Sequence, residues 1–168
     1  MKLYIIPGYE ENESDYQWLI SKASGTYDVV FLDLQMKDGV SFNELTSINN
    51  IDPDSTVFGF SCGALIAFKL KTPVKKGIYC SIANALEDDR AGGEAQSIES
   101  FGEVLTDELR STSYGIPVAE KFVIMHGDKE FFPRSELMRK QFGMKVIPNT
   151  DHEFTDAYKE AVFEELGL

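Results

Sequence analysis

The stretch whose residue types and spacing best fit catalysis is Gly-Phe-Ser-Cys-Gly at positions 59–63. An apolar segment typical of a buried strand precedes it, and an apolar segment typical of a helix follows it. The glycines two residues before and after Ser61 remove Cβ atoms that would collide in a sharp turn between a strand and a helix. Such a turn would expose the Ser61 hydroxyl as a nucleophile, although the same residues can form a turn without chemistry.

A serine nucleophile needs a base that takes its proton, and the base needs a carboxylate that orients it. The chain has two histidines, His126 and His152. His152 lies in the polar, turn-rich stretch 149–154, from which a ring nitrogen could reach Ser61, and its alternative is an ordinary surface histidine. His126 ends an apolar strand, so we expect it to be a half-buried structural histidine. The sequence therefore favours His152 as the base.

The elements that would position these residues alternate along the chain. Apolar segments predict strands at 2–6, 29–34, 56–60, 76–83, 121–125 and 144–147, and helices are predicted near 13–23, 42–50, 62–71, 133–141 and from 155 onward. Strands of this type separated by helices indicate an α/β fold with three α/β/α layers, in which a mostly or wholly parallel sheet of about six strands is covered on both faces. Residues at the carboxyl ends of the strands would then converge at one edge of the sheet.

Segment 84–117 is longer than the other connections. It has about 34 residues, whereas a crossover usually needs roughly 10–20. It begins with acidic residues and a glycine pair and continues with an amphipathic stripe formed by Ile98, Phe101, Leu105 and Leu109. The segment is either an ordinary crossover helix preceded by a long loop or a lid over Ser61.

Length and composition restrict the class of protein. A chain of 168 residues is expected to form a single domain, 1–168, with its own core. A formal net charge of −12 makes nucleic acid and anionic membranes unfavourable partners. Two cysteines outside any metal-binding spacing, and a short apolar N-terminus, predict a cytoplasmic protein without a metal or another cofactor. The oligomeric state is not indicated.

Three stretches, 59–63, 126–133 and 149–154, occur in the order nucleophile, acid, histidine. With these stretches and this order of strands, the chain resembles the α/β-hydrolase family, in a small form without the usual leading antiparallel hairpin. The resemblance implies that Ser61 is the nucleophile and His152 the general base and acid. It places the acid at Glu130, counted from His126 and Pro133, with Asp128 as the alternative acid or as a residue that caps the loop.

The resemblance also implies an oxyanion hole formed by two backbone N–H groups, those of Cys62 and Tyr9. Pro7 stands where the family commonly has histidine, which leaves open how this loop is braced. The implied function is that of a serine hydrolase that cleaves a small or medium carboxylic ester through an acyl-enzyme. A thioesterase or acyltransferase, and a non-catalytic binding protein of the same fold, are the alternatives. Five aromatic residues are candidates for an acyl pocket, and most of them could equally belong to the core: Trp18, Phe60, Phe131, Phe132 and Phe154.

Overall fold

Six strands form one parallel sheet in a computed structural model that describes residues 1–34, 36, 39–82, 93–111, 115–130 and 139–168. The strands are β1 (Lys2–Ile6), β2 (Asp28–Phe31), β3 (Thr56–Phe60), β4 (Val74–Cys80), β5 (Ala119–Gly127) and β6 (Lys145–Ile147). Their order across the sheet is β2-β1-β3-β4-β5-β6, and every neighbouring pair is parallel. The predicted α/β architecture with a parallel sheet is therefore confirmed.

Helices connect the strands. A 3₁₀ turn at Glu13–Tyr16 leads into the first α-helix, and the α-helices are α1 (Gln17–Ala23), α2 (Phe42–Thr46), α3 (Cys62–Phe68), α4 (Gly93–Ser111) and α5 (Asp156–Leu166). Ser41 and Glu44 form the predicted capping box at the start of α2. None of the helices in the described ranges is long and apolar enough to cross a bilayer.

Two apolar cores cover the two faces of the sheet. On one face, α2, α3 and α4 pack over side chains such as Ile6 and Val57. On the other face, α1 and α5 pack over side chains such as Leu3 and Phe58. Because consecutive strand residues point to opposite faces, strands covered on both sides are apolar throughout. The central strand β3 is accordingly buried at all five residues.

The predicted limits of the second strand are wrong. The strand was expected to reach residue 34, but β2 ends at Phe31, which lies opposite Ile5 of β1. The Leu32 N–H still donates to the Ile5 carbonyl, at 2.9 Å. Beyond this bond β1 itself ends, because Pro7 has no N–H and turns the chain away. The second strand thus has no partner along which to continue.

The amphipathic stripe of the long connection lies mainly on α4. Phe101, Leu105 and Leu109 are buried against α2 and α3, whereas Ile98 is exposed. Gly102 interrupts the helix with φ 77° and ψ 169°, a conformation that glycine adopts readily. Residues 84–92 and 112–114 of this connection, and most of the helix predicted from Pro133, lie outside the described residues. A lid over Ser61 stays a prediction.

Candidate active site

Ser61 is the single residue between the end of β3 and the start of α3. Its backbone has φ 55° and ψ −126°, which is unusual for a residue with a side chain. The two glycines make this turn possible. A Cβ on Gly63 would lie 2.1 Å from the Pro7 carbonyl oxygen, and a Cβ on Gly59 would lie 2.6 Å from the Gly63 carbonyl oxygen. The glycines are thus needed for close backbone packing around the serine.

His152 lies between Ser61 and Glu130 and forms a hydrogen bond with each. Its Nε2 is 2.9 Å from Ser61 Oγ, and its Nδ1 is 2.9 Å from Glu130 Oε2. The histidine belongs to the loop between β6 and α5, whereas the glutamate follows the end of β5. With the proton on Nδ1, the ring donates to the carboxylate and its Nε2 can accept the serine proton. These contacts are the ones that a nucleophile, a base and an orienting acid would need.

The Glu130 carboxylate is fully buried and is held by several donors. Its Oε1 accepts hydrogen bonds from the Ser81 hydroxyl at 2.6 Å and from the Gly127 N–H at 2.8 Å. Its Oε2 is the oxygen that bonds His152. A buried carboxylate needs such donors to offset its lost hydration. Because Oε1 is fixed by these two hydrogen bonds, Oε2 is oriented towards the imidazole of His152.

A buried tyrosine extends the contacts behind the acid. The Tyr158 hydroxyl, on α5, lies 2.8 Å from Ser81 Oγ and donates to the Met125 carbonyl oxygen at 3.1 Å. Ser81 and Tyr158 are both fully buried. Neither was predicted from the sequence, because a serine after β4 and a tyrosine on the last helix carry no local pattern that joins them to residue 130.

Asp128, the alternative acid, has a different position. Its side chain is exposed, and its Oδ1 accepts the Thr150 N–H at 3.1 Å. The backbone N–H groups of Asn149 and then Thr150 lower the pKa of this carboxyl. Asp128 thus caps the loop that carries His152, while Glu130 contacts the histidine ring itself.

His126 also lies beside the buried acid. Its Nδ1 is 3.6 Å from Glu130 Oε2, and the side chain is almost completely buried. Burial is the main cause of its lowered pKa, and the neighbouring Glu130 carboxylate opposes that shift. His126 therefore lines the acid's pocket, as the position at the end of a strand suggested, and His152 is the histidine that reaches Ser61.

The loop after β1 contacts the serine directly. A Cβ on Gly8 would lie 3.3 Å from Ser61 Cβ, so the loop and the turn at Ser61 are neighbours. The Gly8 N–H donates to Glu11 Oε2 at 2.7 Å and to the buried Tyr16 hydroxyl at 3.1 Å. The Tyr16 hydroxyl also donates to the same Glu11 oxygen. Glu11 and Tyr16 brace this loop, and no pattern in the sequence predicted this role for either.

The residues whose N–H groups the resemblance assigns to the oxyanion hole each follow one member of this contact in the chain, Cys62 after Ser61 and Tyr9 after Gly8. Cys62 is the first residue of α3, and an N–H at that position has no partner within its own helix. Tyr9 follows Gly8 in the loop after β1. Burial raises the pKa of the Cys62 thiol to about 11, so the thiol is protonated near neutral pH and is a poor nucleophile.

Unusual backbone conformations occur together at the carboxyl ends of the strands, where the site lies. In the described part of the chain, the residues other than glycine with positive φ are Glu10, Ser61, Ser81 and Asn149. They follow β1, β3, β4 and β6, respectively. Such conformations cost of order 1–3 kcal/mol each and cluster at functional sites. Their shared location is independent support for a functional site at the carboxyl ends of the strands.

Three of the aromatic residues proposed for an acyl pocket lie under His152 instead. The Phe60 ring packs against the His152 ring at 4.9 Å and against Phe154 at 4.2 Å, and Phe154 packs against Trp18 at 5.0 Å. These rings support the histidine loop from the α1–α5 side of the sheet. The other two candidates, Phe131 and Phe132, lie outside the described residues. Within the described ranges, no group of three metal-binding side chains is close enough to bind an ion.

Replacing Ser81 by alanine is expected to lower kcat for ester hydrolysis by about tenfold with little change in KM. The reason is that Glu130 loses one of the charge-assisted hydrogen bonds that hold it, which is worth about 1.5–3 kcal/mol. Ester hydrolysis kinetics measure this split. Ser55→Ala is the matched control, since Ser55 is equally buried and its hydroxyl has no hydrogen-bond partner in the described part of the chain. Equal losses in both variants would show that Ser81 does not position the acid.

Comparisons with known proteins agree on the fold. No family model matches the chain, and no curated protein matches it in sequence. Carboxylesterase CesB from Bacillus subtilis superposes with a TM-score of 0.67 at 14% identity, over 98% of this chain and 81% of its own. Naproxen esterase from Bacillus subtilis superposes with a TM-score of 0.68 at 14% identity, over 99% and 82%. The enol-lactonase from Burkholderia xenovorans LB400 gives 0.63 at 14% identity, over 99% and 91%.

These solved structures superpose on nearly the full length of this chain, which includes its parallel sheet and flanking helices. Their sequence identities lie far below those that would indicate a shared activity, so the likeness is one of architecture. This chain has the α/β-hydrolase fold.

Proposed function

We propose that the protein is a serine hydrolase that cleaves small or medium carboxylic esters through an acyl-enzyme. The observation that carries the proposal is the continuous hydrogen-bonded series from Ser61 through His152 to the buried Glu130, with both bonds at 2.9 Å. A serine hydroxyl, a base within reach and a carboxylate on the other ring nitrogen are the groups that acyl transfer needs. Two of the similar structures are esterases and one is an enol-lactonase, which is consistent with this chemistry.

In the first half of the reaction, Ser61 Oγ attacks the ester carbonyl carbon while His152 Nε2 takes the hydroxyl proton. Glu130 holds the ring and stabilises the imidazolium that forms. The carbonyl oxygen becomes an oxyanion, which the N–H groups of Cys62 and Tyr9 stabilise by roughly 3 kcal/mol each. The C–O bond to the alcohol then breaks, His152 returns its proton to the leaving oxygen, and Ser61 keeps the acyl group.

In the second half, water resolves the acyl-enzyme. The His152 side chain is about one-third exposed, so water can reach the ring from solvent. His152 takes a proton from that water as its oxygen attacks the acyl carbon, and then returns the proton to Ser61 Oγ as the acid product leaves. The base is thus accessible while its orienting acid stays buried, an arrangement that lets water enter without hydrating Glu130.

A fluorophosphonate probe tests the proposal, because it forms a covalent bond with a serine only where a base activates it. Wild type is expected to acquire one adduct, located on Ser61 by peptide mass spectrometry, and to hydrolyse short p-nitrophenyl esters. Ser61→Ala is expected to show neither, whereas Ser24→Ala, at an exposed serine after α1, behaves like wild type. If wild type and Ser61→Ala behave alike, the protein is not a serine hydrolase and a non-catalytic binding role takes its place.

A further inference from the structure

An apolar pocket between α2, α3 and α4 is lined by Cys62, the residue that follows Ser61. Its walls include Phe42 and Leu45 from α2, Cys62 and Leu65 from α3, and Phe101 and Leu105 from α4. Little free space is left within the pocket. Its free volume is about 10 Å³, the size at which a cavity holds about one water molecule. The lining residues that the structure describes are all uncharged and apolar, so the pocket suits a hydrocarbon group.

We infer that this pocket receives the acyl group of the substrate and that Phe101 limits the length of that group. The inference rests on the proposed ester hydrolysis at Ser61. It names the kind of ester that the site prefers, which is one with a very short acyl chain such as acetate.

The direction of the acyl chain follows from the position of the base. His152 must return a proton to the leaving oxygen, so the alcohol side of the ester has to face Nε2. The acyl side then extends from Ser61 away from His152. His152 lies in the loop after β6, at one edge of the sheet, while α2, which forms one wall of the pocket, follows β2 at the opposite edge. The pocket is therefore on the acyl side.

Phe101 stands between the pocket and the loop that follows β1. Its side chain is 3% exposed, and its ring packs edge-on against the Tyr9 ring with centroids 4.6 Å apart. The break in α4 at Gly102 comes directly after it. An uninterrupted helix would carry Phe101 along a different path, so the break determines where this ring lies.

The part of α4 beyond the break is fixed to the rest of the fold. Leu105 and Leu109 are buried, and the Glu108 carboxylate accepts a hydrogen bond from the Phe42 N–H at the start of α2. These contacts hold the pocket walls formed by Leu105, Leu109 and Phe42 in place. A smaller side chain at position 101 would therefore remove only the wall formed by the Phe101 ring. Removing it would enlarge the pocket towards Tyr9 and admit a longer chain.

The test compares acyl-chain preference in wild type, Phe101→Ala and Phe101→Leu, with Val104→Ala as the control. Val104 is exposed on the same helix, so its truncation leaves the pocket unchanged. Each CH₂ group newly buried raises kcat/KM by about fourfold. The ratio of kcat/KM for p-nitrophenyl hexanoate to that for p-nitrophenyl acetate is therefore expected to rise by about 10- to 100-fold in Phe101→Ala. Phe101→Leu is expected to give a smaller rise, and Val104→Ala none.

A second series separates the acyl side from the alcohol side. With ethyl, butyl and hexyl acetates, where only the alcohol lengthens, the Phe101 variants should keep the wild-type preference. A change in this series without a change in the acyl series would overturn the inference, and so would an unchanged acyl series in a folded Phe101→Leu variant that still labels with fluorophosphonate. If wild type itself hydrolyses no ester and takes no label, the proposed function fails first.

Discussion

Replacing Glu130 by glutamine is expected to lower kcat for ester hydrolysis by about 10³- to 10⁴-fold. The carboxylate accepts three hydrogen bonds, from Ser81, Gly127 and His152. The glutamine amide has the same shape but only one oxygen. Its NH₂ group must either face the Ser81 and Gly127 donors or face His152 Nδ1. In the second case the imidazole carries its proton on Nε2 and cannot accept the serine proton. Rates measured with p-nitrophenyl acetate, at saturating and at low substrate concentrations, give kcat and KM separately.

Asp128→Asn is the matched control for this change. The Asp128 side chain is exposed and contacts the backbone of the loop that carries His152, at the Thr150 N–H. Its pKa is lowered, first by the Asn149 N–H, so the loop favours the charged carboxylate, and the neutral amide is expected to reduce kcat by only a few fold. If activity were lost in Asp128→Asn and kept in Glu130→Gln, the acid would have to be reassigned to Asp128.

Replacing Gly63 by alanine is expected to lower the free energy of unfolding by about 3 kcal/mol, the upper part of the usual range for overpacking. The added Cβ would lie 2.1 Å from the Pro7 carbonyl oxygen and 2.4 Å from that of Ile6. Both atoms belong to the backbone of β1 and the loop after it. Neither can move without displacing Tyr9, whose N–H is the second donor of the proposed oxyanion hole. Urea unfolding followed by circular dichroism measures the loss of stability.

Gly25→Ala provides the comparison for that result. A Cβ at Gly25 meets nothing within 4 Å, so the substitution should leave stability unchanged or raise it by about 0.4–1 kcal/mol through the unfolded state. Gly63→Ala should also lose esterase activity in the fraction that stays folded, whereas Gly25→Ala should keep it. Equal unfolding midpoints for the two variants would mean that the chain around Ser61 is free to relax.

Several elements could be predicted because their signals are local. β1 and β3 have the limits that their apolar runs indicated, and α3 begins directly after Ser61 as the glycine spacing implied. The capping box at Ser41 likewise depends on residues three apart. The position of Glu130 against His152 was predicted only through the resemblance, since composition and spacing alone left Asp128 equally open.

The contacts that could not be predicted join residues far apart in the chain. Ser81 reaches Glu130 and Tyr158 across 49 and 77 residues. Glu11 and Tyr16 are close in sequence, yet what they brace is the Gly8 N–H beside a serine on another strand. Hydrogen bonds of this kind depend on how strands are placed side by side, and a single sequence carries no periodicity that reveals them. The same holds for the pocket under Phe101, whose walls come from three helices.

The wide spacing of the site residues has a consequence for folding. Ser61 meets His152 across 91 residues, and His152 meets Glu130 across 22. A parallel sheet cannot bring such residues together through local contacts, and folds dominated by distant contacts form slowly. A folding intermediate in which β5 and β6 have not yet joined the sheet would have a Ser61 without a base. The appearance of fluorophosphonate reactivity during refolding should therefore lag behind the recovery of helical circular dichroism and report the final closure of the sheet.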